Sequence, residues 1–163
     1  MRRRRPVLTN AGAVACTGLL VLSGCSTGAV PVDSTDPSAE DAAACASLVD
    51  ALPEQVDEAQ QRRVEPDEGT SAAWGDPPIV LRCGVPEPAG FDAVSACQIT
   101  NGVAWYIPDE QITGAAVDIV MTTIGRSPDV EVAIPADHFP PAATMAALAD
   151  AVKEHSEQVE RCG

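Results

Sequence analysis

Cys25 is the side chain whose surroundings most narrowly define a chemistry. It follows Leu22-Ser23-Gly24 at the end of an apolar run from Val7, and Arg2-Arg3-Arg4-Arg5 precedes that run. Cationic residues hold an amino end in the cytoplasm while an apolar run enters the translocation machinery. Small residues before Cys25 admit a signal peptidase, and a thiol is nucleophilic enough to take a diacylglycerol group. The expected reaction is lipidation of Cys25 after removal of residues 1–24, as in a bacterial lipoprotein. Thr9, Asn10, Gly12, Thr17 and Gly18 dilute the run below the ~20 clean residues of an uncleaved span. Arg4-Arg5 ahead of Val7-Leu8 fits twin-arginine export as well as general secretion.

No other spacing defines a reaction as closely. Neither Gly-x-Ser-x-Gly nor Ser-x-x-Lys occurs, and His138 and His155, the two histidines, form no His-Glu-x-x-His pattern. His155 falls on an apolar helical stripe and reads as a hydrogen-bonded residue at the core edge, whereas His138 reads as loop. The 24 carboxylates guarantee that some pair will lie at a catalytic-looking distance, so pairing alone carries no assignment. With no calcium-loop pattern and no closely spaced Cys-x-x-Cys, neither a metal nor any other cofactor is expected. The best binding candidate is Trp74-Gly75-Asp76-Pro77-Pro78 with Arg82, joined by Trp105 and Arg126 if the fold brings them together. Trp offers a flat apolar face and Arg a donor fork for carboxylate or phosphate. The competing expectation is structural: Trp74 and Trp105 fill an aromatic-poor core, while Asp76 and Arg82 form an ion pair.

Charge narrows the partners. Loss of the four leader arginines leaves six of the ten Lys plus Arg against 24 Asp plus Glu, a formal charge of −18. That balance excludes nucleic acid, which needs a dense basic footprint. The expected partners are the membrane, through the lipid, and an envelope protein. Ser26, Thr27, Gly28, Pro31, Ser34, Thr35, Pro37 and Ser38 make the stretch from Ser26 to Glu40 read as a flexible tether with a reach of roughly 20 Å. The expected organisation is a signal at 1–24, lipidated Cys25 and tether over 25–40, and a single domain over 41–163, outside the cytoplasmic membrane.

The elements of that domain follow from periodicity. Ser38 and Asp41 form a capping box ahead of Cys45, Leu48, Val49 and Leu52, spaced i, i+3, i+4 and i+7. After Pro140-Pro141, the positions Met145, Leu148, Val152, His155, Val159 and Cys162 form the stripe of a closing helix. Between them, Ile79–Cys83 reads as a strand. Cys97–Thr100 and Val103–Ile107 flank Asn101-Gly102 as a tight hairpin, and Val117–Met121 with Val130–Ile134 form a second. The fold class is α+β: an antiparallel sheet of about four to five strands covered on one face by the amino- and carboxy-terminal helices. Cys45, Cys83, Cys97 and Cys162 make two disulfides in an oxidising compartment. Because Cys45 and Cys162 each end up on a buried helical stripe, the pairing expected is Cys45–Cys162 and Cys83–Cys97.

The run Trp74-Gly75-Asp76-Pro77-Pro78-Ile79-Val80-Leu81-Arg82-Cys83-Gly84 resembles the actinobacterial DUF3515 family. Cys45, Leu52-Pro53, Arg62-Arg63, Cys97, Trp105 and Gly125-Arg126-Ser127-Pro128 follow that family's order of landmarks, over roughly residues 41–162. The resemblance implies an exported or lipid-anchored protein whose relatives are encoded near cell-wall precursor enzymes. It supplies no catalytic residue. The function expected is a non-catalytic binding or assembly module, with a small-ligand binder or enzyme of cell-wall precursors and a purely structural envelope protein as alternatives.

Overall fold

A computed structural model of the chain describes residues 28–162. The expected signal and the Cys25 lipidation site lie outside the described residues. The first helix, α1 (Ala39–Asp50), is capped as its sequence requires: the Ser38 hydroxyl oxygen accepts from the Asp41 amide at 3.1 Å and donates to its carboxylate at 2.7 Å. Cys45 and Leu48 are its buried residues. The second helix, α2 (Ala142–His155), buries Met145, Leu148 and Val152.

The sheet is larger than expected. Eight strands run in the order β2 (Gln55–Val56), β3 (Ala59–Arg62), β5 (Ser71–Trp74), β6 (Ile79–Cys83), β11 (Val130–Ile134), β9 (Ile119–Thr123), β8 (Val103–Tyr106), β7 (Cys97–Thr100), all antiparallel. Four more short strands form two separate pairs. β1 (Val30–Pro31) lies parallel to β4 (Val64–Glu65), and β10 (Arg126–Ser127) lies antiparallel to β12 (Glu157–Gln158). Both expected hairpins form, and Asn101 and Gly102 take φ of 51° and 84°, as a type I′ turn demands.

Alternation sorts the strand residues. Trp74, Ile79, Leu81, Trp105, Met121, Val132 and Ile134 share one buried cluster with Cys45 and Leu48 of α1 and Met145, Leu148 and Val152 of α2. Ala73, from the opposite face, packs instead with Val30 and Val32. That second cluster corrects the flexible-tether expectation. From Gly28 onward the segment is docked: Val30 donates its amide to Arg63 O at 2.8 Å, Val32 to Glu65 O at 3.0 Å, and Thr35 its hydroxyl to Cys83 O at 2.8 Å. Composition hid this, because two valines among polar residues suffice once an open sheet face is available to receive them.

The disulfide pairing is also corrected: the bonds are Cys45–Cys83 and Cys97–Cys162, with Cα separations of 5.5 and 6.3 Å. The expected pairing assumed that α2 continues to Cys162. It ends at His155, and the tail turns back as β12 against β10, leaving Val159 63% exposed and carrying Cys162 to edge strand β7. Cys45 meets instead the last residue of β6, which points to the same side as Leu81.

Candidate functional site

The five residues proposed from sequence do not converge. Trp74 closes β5 with no exposed surface, and its indole N–H donates to Pro53 O at 2.9 Å. Trp105 is equally buried in β8, and its indole nitrogen lacks a hydrogen-bond partner among the described residues. Arg82 alternates away from that core and donates from Nε and Nη2 to Glu131 Oε1, at 3.1 and 2.6 Å. Its partner is therefore the cross-strand Glu131, which corrects the expected pair with Asp76. Asp76 lies 3.9 Å from Arg62, with a side chain 87% exposed. The packing role expected of both tryptophans describes their positions; a pocket shared with the two arginines does not form.

Arg126 is buried at the opposite end of the domain. Its Nε donates to Ser156 Oγ and its Nη2 to Ser156 O, both at 2.7 Å. Burial lowers its guanidinium pKa, and the nearby Asp129 carboxylate opposes that shift. Gly125, at φ 71°, accepts from the Val159 and Glu160 amides, and a Cβ there would collide with the Glu160 carbonyl. The Gly125–Pro128 run thus fastens the carboxy-terminal tail, a role that spacing alone did not reveal.

Asp129, in the same turn, is the most perturbed acid among the described residues. Burial pushes its pKa up from 3.8 to about 6, opposed by the Thr123 hydroxyl, which donates to its Oδ1 at 3.0 Å. The folded state therefore holds a proton that the unfolded chain has released between about pH 4 and 6. Stability contributed by this group is present at low pH and is lost as pH rises through about 6. The full shift corresponds to about 3 kcal/mol, which partial exposure of the carboxyl reduces to roughly 1–2 kcal/mol. The wild-type minus Asp129→Asn difference in unfolding free energy, measured from pH 4 to 7, is expected to fall by that amount; a flat difference would show that the carboxyl is solvated.

His138, expected in a loop, closes a 3-10 turn over Ala136–His138. Its Nδ1 lies 3.3 Å from Asp57 Oδ2 and its Nε2 lies 3.1 Å from Pro77 O. A His–Asp pair invites comparison with a general base, but Nε2 faces the Pro77 carbonyl, which has no proton to give up. The pair instead ties the turn before α2 to the β2–β3 and β5–β6 connections. His155 is half-buried at the end of α2. No group of three or more potential metal ligands occurs among the described residues.

A different concavity is built for apolar contact. Ile107, Ile112, Ile119, Phe139, Pro140 and Pro141 line a groove of about 230 Å³ between the ends of β8 and β9 and the approach to α2. Gln111 pins its outer wall by accepting the Val120 amide at 2.8 Å, and Ile112 remains 50% exposed. The exposed acids Asp109, Glu110 and Asp118 adjoin these lining residues in the chain. Sequence reading missed the groove because Ile112 belongs to no periodic stripe.

No curated protein and no solved structure matches the chain. The family model described as "Protein of unknown function (DUF3515)" matches residues 7–161. The match takes in the apolar run from Val7 as well as the tryptophan run, the Cys45–Cys83 disulfide and Cys97, and the chain belongs to the DUF3515 family.

Proposed function

We propose that the protein is an extracytoplasmic lipoprotein, anchored to the cytoplasmic membrane through Cys25, that acts as a binding module for an envelope protein. In this reading both helices cover one face of the sheet, leaving the groove at its rim free for a partner. The observation that carries the binding role is the apolar groove with acidic neighbours, which suits an apolar side chain flanked by basic residues. Two disulfides suit an oxidising compartment, and the family match from Val7 gives the leader a place in the family's own pattern. No convergence of Trp74, Arg82 and Arg126 supports a precursor-binding site there.

In-cell photocrosslinking tests the reading. Benzoylphenylalanine at Ile112 is expected to capture one protein at a segment with an apolar residue between Lys or Arg, while the same probe at exposed Ile99 captures none. Ile112→Glu should abolish a complex detected by affinity capture, with both disulfides intact. Capture that is equal at the two positions, or none at Ile112, would contradict the binding role and leave a structural envelope protein as the better description.

A further inference from the structure

We propose that the Trp74–Pro78 turn is the membrane-facing corner of this protein, and that Arg62 is the clamp that holds it there. The inference rests on lipidation of Cys25 and adds an orientation to it. Only Ser26 and Thr27 separate Cys25 from Gly28. A chain rises at most about 3.5 Å per residue, so Cys25 lies within roughly 11 Å of Gly28 whatever path the chain takes. Gly28 does not float. Its carbonyl accepts from Arg62 Nη2 at 2.9 Å, while Nη1 of the same guanidinium donates to Gly75 O at 2.9 Å and lies 3.9 Å from Asp76. One planar fork thus binds the start of the docked segment to the turn between β5 and β6.

The residues that follow keep it there. Val30 and Val32 are 4% and 9% exposed, and β1 is paired to β4, so the freedom expected of a tether ends at Gly28. A headgroup layer is about 5–8 Å deep on each side of a bilayer, comparable with the remaining leash. The lipidated domain must therefore sit with its Gly75–Pro78 turn at the membrane surface. Asp76, with a side chain 87% exposed, stands open to solvent at that corner. The Asn101-Gly102 tip of the β7–β8 hairpin is diagonally opposite: it lies at the other strand end and about 20 Å across the sheet, four strand spacings away. Proximity here is imposed by chain length, so it does not require the acidic domain to have affinity for lipid.

The test uses the full chain in a lipidating bacterial host, with benzoylphenylalanine at Asp76 or at Asn101 and mass spectrometry of phospholipid adducts. Intact mass of the membrane-extracted protein is read first, to establish diacylglycerol on Cys25. The Asp76 probe is expected to exceed the Asn101 probe by about tenfold in lipid capture, as a short leash implies. Arg62→Ala should lower the Asp76 yield. A 20-residue Gly/Ser insertion after Thr27, which leaves the clamp untouched, should bring the two probes together by adding roughly 25 Å of reach. Equal capture at both positions, or none at Asp76, in a protein that carries the lipid would overturn the orientation and leave the anchor standing. A mass without the lipid would overturn the anchor and the orientation with it.

Discussion

A Cys45→Ala/Cys83→Ala protein is expected to lose about 4 kcal/mol of folding free energy, the chain-entropy value for a loop of 38 residues. A domain of this size has only about 5–15 kcal/mol in total, so the variant should unfold early in urea or not accumulate. Both cysteines are fully buried, and their bond ties α1 to β6 in the middle of the sheet. Loss of the bond therefore also removes packed sulfur from the core. Denaturant unfolding under non-reducing conditions measures the effect. A loss below about 1 kcal/mol would mean that α1 is held by its apolar stripe alone, through Leu48 and Val49.

Trp74→Ala is expected to cost about 3–5 kcal/mol, because the ring has no exposed surface and its removal leaves a cavity between α1, β5 and the neighbouring strands. Trp74→Phe should cost less. It keeps most of the apolar contact and gives up the hydrogen bond to Pro53, worth about 1 kcal/mol. The contrast matters because the tryptophan run is the stretch that carries the resemblance to the family. Were Trp74 a recognition surface, its alanine variant would retain wild-type stability and lose a ligand; buried as it is, the same change should act on folding. Thermal or urea unfolding of the two variants separates these outcomes.

Much of this fold was legible where periodicity and turn chemistry agree. The Ser38 cap, the β6 run and the Asn101-Gly102 hairpin each follow from residues that favour only one local geometry. β3 was not legible, since Ala-Gln-Gln-Arg has no β-branched residue and is held by pairing with β5. β2 and β3 are joined through Asp57 and Glu58 at φ 47° and 64°, a turn that Asn-Gly would have announced and Asp-Glu did not. The tail failed for a different reason. His155, Val159 and Cys162 continue a helical period, but the Arg126 donors and the Gly125 carbonyl capture Ser156 to Glu160, and tertiary contacts override the period. That override moved Cys162 and with it both disulfide pairings. For the site, residue type suggested Trp74, Asp76, Arg82, Trp105 and Arg126, yet strand alternation sends Trp74 and Arg82 to opposite faces. The groove around Ile112 depends on the β8–β9 connection meeting the approach to α2, which no local pattern encodes.

The most direct measurement is mass spectrometry of the protein extracted from bacterial membranes, intact and after non-reducing digestion. The expected spectrum shows a chain that starts at diacylglyceryl-Cys25 and whose only disulfide-linked peptides join Cys45 to Cys83 and Cys97 to Cys162. A chain retaining residues 1–24, an unmodified Cys25 or free thiols at the four domain cysteines would contradict it.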